Sequence, residues 1–284
     1  MRGAQFVGAR LSDVARVTQQ FTPLDPVGGW ASATVTANAG AHTKGAWTEL
    51  IASTPFEADA LDIDVGNVSA NGVNTATLLD IGVGAAASET VIIPDVAVGG
   101  ALFGDTIAKR VGISFRVPIR IPKGSRVSAR IQSIVTGGKT ATVNVRPLHS
   151  AIPVPVGSTV DVIGTNTGTS EAAATSGTAD TWTEIGTTAK AYDALVFVPS
   201  MASSAVTQGE RLFFVGVGAS GSEVALHSRT GVVLGATENF KLSDGCAGSL
   251  VQRYVPAGTR LVVKLQGGTN TGFQACVLGI PRLP

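Results

Sequence analysis

Charge is scarce in this chain of 284 residues. Only 14% are charged, and the 21 basic and 20 acidic side chains leave a net charge of +1, against a usual charged fraction of about 25%. Without a surplus of Lys and Arg there is no counterion-releasing surface for a phosphate backbone, so generic nucleic-acid binding is disfavoured. Aromatic residues make up 5% and methionine occurs twice, which suits thin layers of β-branched residues better than a helical bundle. The two cysteines, Cys246 and Cys276, have neither metal-ligand nor disulfide-framework spacing. Cys276 lies in the apolar stretch Phe273 to Leu278 and reads as a small core residue.

Long apolar runs are also missing. Hydrophobic residues reach 44%, but Gly, Pro or a charge interrupts every run within about eight residues, far short of the ~20 that cross a bilayer. No membrane partner is expected. Near the start, Arg10, Asp13 and Arg16 interrupt the apolar centre that an export signal needs, so none is expected. The histidines His42, His149 and His227 stand singly, with no acidic or thiol neighbour at ligand spacing, and imply neither metal nor cofactor.

What the chain does have is a second copy of itself. A shift of 134 or 135 residues lays Trp47-Thr48-Glu49-Leu50 on Trp182-Thr183-Glu184-Ile185. The same shift lays Ile81-Gly82-Val83-Gly84 and its trailing Ser88-Glu89 on Val215-Gly216-Val217-Gly218 and Ser222-Glu223, and Ile121-Pro122-Lys123-Gly124-Ser125-Arg126-Val127 on Val255-Pro256-Ala257-Gly258-Thr259-Arg260-Leu261. Three motifs in one order over more than a hundred residues mean a duplicated domain. The expected division is an arm over 1–28, a first copy over 29–150, a proline-containing linker over 151–157 and a second copy over 158–284. The two linker prolines favour extended backbone and a fairly fixed angle between the copies.

Within a copy the apolar period is two. Leu61-Asp62-Ile63-Asp64-Val65, Arg116 to Ile121 and Arg126 to Ile131 alternate as half-buried strands do. The Pro-x-Gly segments at 122–124 and 256–258 predict a tight turn between strands, with Pro and Gly at its two middle positions. Seven to nine such strands per copy, with no βαβ alternation, predict an all-β protein: two tandem antiparallel β-sandwiches of jelly-roll type behind an extended N-terminal arm. The Gly, Ser, Thr and Ala stretch over 165–181 reads as a loop.

Few residues point to chemistry. Asp62 and Asp64 share a strand face, but the second copy has apolar residues there, so a solvated face is favoured over a Ca²⁺ site. Gly216-Val217-Gly218-Ala219-Ser220-Gly221 fits G-x-G-x-x-G, yet Val224 to Ser228 continues it as a strand, whereas a dinucleotide site needs a helix there. No nucleophile elbow, zincin pair or Walker lysine occurs, and an enzyme is not expected. Trp47 and Trp182 have two readings. They are either core indoles at the start of a strand or exposed platforms for a sugar ring, and the apolar Leu50 and Ile185 that follow favour the core.

The Gly-Ala-Trp-Thr-Glu-Leu, Leu-Leu-Asp-Ile-Gly-Val-Gly-Ala and Ile-Pro-Lys-Gly-Ser-Arg-Val motifs together resemble β-sandwich modules of tailed-bacteriophage virion proteins, of tail-fibre or structural type. The resemblance covers both copies and not residues 1–28. It implies a non-enzymatic virion protein on the particle exterior, assembled as a homotrimer or other homo-oligomeric ring. Residues 1–28, with Phe6, Val7, Leu11, Val14, Val17 and Phe21 as apolar contacts, would anchor it to other virion proteins of the tail, neck or capsid. A tail fibre or host-contacting appendage ranks ahead of capsid decoration. A carbohydrate-binding module that meets a host-surface glycan through Trp47 and Trp182 is the rival from another class.

Overall fold

A computed structural model describes residues 29–66, 77–98, 113–149, 158–168, 174–175, 180–201, 209–233, 240–242, 248–267 and 273–281. The expected arm, the linker over 151–157 and much of the 165–181 stretch lie outside the described residues. All regular elements described are strands.

The first copy contributes β1 (Ala31–Thr36), β2 (Thr48–Ile51), β3 (Ala58–Gly66), β4 (Thr77–Val83), β5 (Thr90–Ala97), β6 (Ile113–Ile121), β7 (Val127–Ser133) and β8 (Thr140–Leu148). Pairing is nested and antiparallel: β1 with β8, β2 with β7, β3 with β6, and β4 with β5. Additional pairing of β3 with β8 and of β4 with β7 gathers these into two four-stranded sheets, β1-β8-β3-β6 and β2-β7-β4-β5. A long antiparallel hairpin rolled up in this way is a jelly roll.

The second copy repeats the nest with β9 (Asp161–Ile163), β10 (Ala174–Thr175), β11 (Thr183–Thr187), β12 (Tyr192–Met201), β13 (Gly209–Val217), β14 (Val224–Val233), β15 (Phe240–Leu242), β16 (Ser249–Val251), β17 (Arg260–Gln266) and β18 (Phe273–Pro281). Its first strand is in two pieces, β9 and β10, both laid on β18, and β15 is an addition beside β14. The remaining pairs, β11 with β17, β12 with β16 and β13 with β14, reproduce the first copy. β14 starts at Val224, so a strand and no helix follows the glycine-rich turn, as the sequence indicates.

The repeated Pro-x-Gly segments are turns, shifted one place from expectation. The backbone N–H of Ser125 bonds to Pro122 O, which puts Pro122 first and leaves Lys123 and Gly124 in the middle. Gly124 and Gly258 take φ of 81° and 76°, the positive values that favour glycine at the third place of a type II turn. A threonine from the preceding β2 or β11 region seals each turn. Thr54 Oγ1 donates to Pro122 O at 2.7 Å and accepts from Ser125 N–H at 3.0 Å. Thr188 makes the same two bonds to Pro256 and Thr259 at 2.7 and 2.8 Å.

Alternation fills the first sandwich from both sides, with Leu61, Ile63 and Val65 of β3 and Val127, Ala129 and Ile131 of β7 all in one buried cluster. The second copy departs from alternation in β12 and β18, which are buried on both faces. Leu195, Phe197, Ala275 and Val277 pack inward against Phe213, Val215 and Val263. Their neighbours Ala194, Val196, Val198, Cys276, Leu278 and Ile280 join the cluster of the first copy. The β12 and β18 sheet thus lies across the edge strands β5 and β6 of the first sandwich. Val160 N–H bonds to Ile92 O at 3.0 Å, and Gly248 N–H to Ser114 O at 2.9 Å. A Cβ on Gly248 would meet the Cβ of Phe115 at 2.3 Å, so the close approach requires glycine. Burial of each larger side chain in this contact, Val196, Val198, Leu278 and Ile280, contributes about 1.5–3 kcal/mol.

Candidate functional site

The two tryptophans occupy matching places outside the inner cores. Ala129 and Ile131 face the core, so Arg130 between them points outward from the β2-β7-β4-β5 sheet, and its Cζ lies 4.4 Å from the centroid of the Trp47 ring. In the second copy Lys264 Nζ lies 5.0 Å from the Trp182 centroid. Each indole rests on a strand glycine. A Cβ on Gly82 would come within 2.7 Å of Trp47, and one on Gly216 within 2.9 Å of Trp182. The repeated Trp and Gly are therefore two halves of one packing contact. Both rings are half-buried on outer sheet faces, so the expectation of core indoles is corrected: alternation places the strand that follows, and the residue just before it folds back over the sheet.

The Glu and Arg of the motifs also meet. Arg126 bridges Glu49 at 2.7 Å and Glu89 at 2.6 Å. Arg260 bridges Glu184 at 2.7 Å and Glu223 at 3.1 Å. Burial pushes the Glu89 carboxyl up, but hydrogen bonds from Arg126 and from the backbone outweigh it and hold the group below its ordinary range. Glu223 is held low first by its own backbone N–H, against burial, with Arg260 adding to the effect. Both guanidiniums are correspondingly held more firmly ionised, Arg126 first by Glu89 and then Glu49, and Arg260 first by Glu184 and then Glu223.

On the same outer face the first copy carries a polar cluster that the second does not share. Asp80, 2% exposed, accepts from Lys44 Nζ at 2.7 Å and from Asp95 N–H at 2.8 Å on Oδ1, and from Arg130 Nε at 2.8 Å on Oδ2. Lys44 Nζ also contacts Asp95 Oδ1. Asp95 sits where the β4 and β5 register shifts, with φ of 46°. In the second copy the sequence positions of Lys44 and Asp80 hold Ala179 and Phe214, and Ser228 pairs with Phe214 where the first copy has the Asp95 bulge. Phe214 packs edge-on to Trp182, with ring centroids 6.2 Å apart.

The outer face of β1-β8-β3-β6 carries a further set of ion pairs. Arg116 grips Asp62 with Nε at 2.5 Å and Nη2 at 3.0 Å, and Arg146 adds a bond at 2.8 Å. Asp64 accepts from Ser114 at 2.6 Å and Asn144 at 2.9 Å. Glu57 pairs with Arg120, and Asp59 with His149 at 3.1 Å. The expected solvated face is thus polar but not bare: Asp62 is only 8% exposed beneath its arginines. Trp30, 48% exposed, lies with its ring centroid 4.8 Å from Arg146 Cζ. Among the described residues no group of three His, Cys, Asp or Glu is placed to hold a metal ion, and no helix is long and apolar enough to cross a membrane.

Cys276 lies in the contact between the copies, fully buried, and burial pushes its thiol up to about 12 against a weaker opposing bond from the backbone at Ala97. Cys246 and the arm residues Phe6, Val7, Leu11, Val14, Val17 and Phe21 lie outside the described residues. The sequence motifs lead to the tryptophan seats and both Glu and Arg sites. The meeting of Lys44 with Asp95 was missed, because the residues are 51 apart and only the rolled topology brings them together.

No protein-family model matches this chain, and no curated protein does. Solved structures of similar outline include PNGase F, a glycosylasparaginase from Flavobacterium meningosepticum, at TM-score 0.39 and 10% identity over 90% of this chain and 97% of that one. The viral capsid protein STIV MCP is similar at TM-score 0.30 and 9% identity, over 89% and 96% of the two chains. A tandem CBM22 domain from Paenibacillus barcinonensis is similar at TM-score 0.25 and 9% identity, over 90% and 94%. An enzyme, a capsid protein and a tandem CBM22 domain at such distance assign no activity; the strand order itself defines the fold.

Proposed function

We propose that the chain is a non-enzymatic structural protein of a tailed-bacteriophage virion, mounted on the particle exterior as a homo-oligomer and held by residues 1–28. A tail fibre or other host-contacting appendage is the leading post, with capsid decoration next. The observation that carries this reading is the use made of the repeated motifs. Trp, Gly, Glu, Arg, Thr and the Pro-x-Gly turn are engaged in seating, bridging and capping one another in both copies. Repetition of supporting contacts, together with one sheet shared between two cores, favours a rigid building part over a catalyst.

The arm would order on docking, which costs conformational entropy and so calls for a broad partner surface. Removal of residues 1–28 is expected to leave a folded, soluble protein that no longer joins particles; normal incorporation would defeat the assignment. Copy number separates the two posts, since a decoration protein stains in hundreds per virion and a fibre in tens or fewer.

The lectin reading keeps one argument, the half-buried Trp182 with Phe214 at its edge. Against it, Lys264 already lies over both rings, at 5.0 and 4.9 Å from their centroids. Glycan-array binding abolished by Trp182→Ala, with the circular dichroism unchanged, would favour the lectin.

A further inference from the structure

Three groups on the outer face of the first sandwich are arranged for a reaction between two of them. Lys44 Nζ touches Asp95 Oδ1, and both are mostly withdrawn from water, at 22% and 27% side-chain exposure. Asp80, almost wholly buried, stands between them: its Oδ1 accepts from Lys44 Nζ at 2.7 Å and from the backbone N–H of Asp95 at 2.8 Å. Arg130 fixes the other oxygen at 2.8 Å. We propose that Lys44 and Asp95 become joined by an amide bond between Nζ and Cγ, with Asp80 carrying the protons.

Free in water near neutral pH the pair is inert, because between about pH 3.9 and about pH 10.4 the amine is protonated while the carboxyl is ionised. Fixed contact changes the rate, since well-oriented intramolecular partners behave as if at about 10⁵–10⁸ M. In the reaction, the Lys44 ammonium gives one proton to Asp80, and the freed lone pair attacks Cγ of Asp95 to form the C–N bond. The tetrahedral centre then breaks one C–O bond. The departing oxygen leaves as water, taking the second proton lost by nitrogen and the one held on Asp80. One ammonium and one carboxylate disappear, one amide and one water appear, and net charge is conserved. Asp80 ends as it began, ionised, with Arg130 holding its far oxygen and so its position between the two reacting groups.

Two further observations fit this role. Asp95 holds a φ of 46°, rare and costly for a residue with a Cβ, at the register shift between β4 and β5. A bulge re-aims a side chain, and here the Asp95 carboxylate meets Lys44. At the sequence positions of Lys44 and Asp80 the second copy has Ala179 and Phe214, and Ser228 pairs with Phe214 without the bulge that carries Asp95, while Lys264 keeps a cation in the place of Arg130.

The test is the intact mass of the denatured full chain. It is expected to fall below that of Lys44→Arg, after allowance for the substitution, by one water, about 18 Da. Proteolysis should release one branched peptide that joins the Lys44 and Asp95 fragments. Lys44→Arg keeps the ion pair with Asp80 and provides a folded reference without the link. Asp80→Asn should leave Lys44 and Asp95 unjoined, and a linked Asp80→Asn chain would overturn the role given to Asp80. The Lys190 and Asp161 pair, at 2.9 Å but about half and a third exposed, is an internal reference and should remain free. A full-length mass equal to the sequence mass after prolonged incubation would overturn the proposal.

Discussion

The sheet that carries β3 and the sheet that carries β12 are one sheet in two copies, with opposite outer faces. In the first copy that face presents Asp62 and Asp64 under arginine, serine and asparagine partners. In the second the same places are Val196 and Val198, buried against the first sandwich. The inner faces of the two sheets differ far less, since both are apolar layers, Leu61 and Ile63 in one and Leu195 and Phe197 in the other. After duplication, therefore, the inward pattern preserves the fold, while the outward pattern decides whether a sandwich meets water or its sibling. The charged pairs also act as a bar, because an Asp62 face could not replace the Val196 face without burying ions.

The sharpest way to break this comparison is to exchange the faces. Val198→Asp should cost about 3–5 kcal/mol, the penalty of an uncompensated buried charge, and should split denaturant unfolding into separate transitions for the two copies. In a Cys246→Ser background it should also speed thiol labelling of Cys276, which in the parent waits for the copies to part. The converse Asp64→Val removes two side-chain bonds at a half-buried place and should cost only about 1–2 kcal/mol. Equal costs for the two exchanges would show that the contact between the copies is not an apolar seal.

Next in size is a pair of changes at a feature the copies share. Gly82→Ala and Gly216→Ala force a Cβ into the resting place of Trp47 or Trp182, and each should cost about 1–3 kcal/mol with a changed near-ultraviolet dichroism band. Gly216 should suffer more, because its Cβ would also meet Val224 O at 2.7 Å. A reversed order would mean that the two seats are built differently.

The smallest effect is electrostatic and should be the same in both copies. Glu89 and Glu223 are held below their ordinary range in the folded protein, so their contribution is complete above the unfolded value of about 4.3. It is lost as pH falls through the lower folded values. Urea midpoints should therefore drop on the acid side below about pH 4, and Glu89→Gln or Glu223→Gln should each flatten that drop alike. A drop confined to one variant would separate the two bridges.

Much of this architecture is legible in the sequence, for physical reasons. Period-two stretches such as Leu61 to Val65 must turn one side inward, and glycine after Pro-x marks a position of positive φ, so strands and turns follow locally. Recurrence of whole motifs gives the duplication. The one-place error in the turn arises because proline is tolerated at its first position as well as its second, and the Thr54 cap that fixes the register lies 68 residues from Pro122. The tryptophans mislead because a half-buried outer seat on glycine gives the same short pattern as a core place. Least legible is the cluster of Lys44, Asp80 and Asp95, whose members come from a loop and two strands and share no spacing rule. The contact between the copies is in the sequence, as the unbroken apolar run of β12, but such a run shows only that both faces are covered and not by what.

The wall formed by β12 and β18 also sets an order of events during synthesis. A ribosome delivers the first sandwich complete, but with its β5 and β6 side unsealed, until β18, more than 150 residues after β6, emerges. That last strand closes two cores in one step, so a chain that stops before residue 273 should leave both halves sticky and bring quality control down on the first as well as the second.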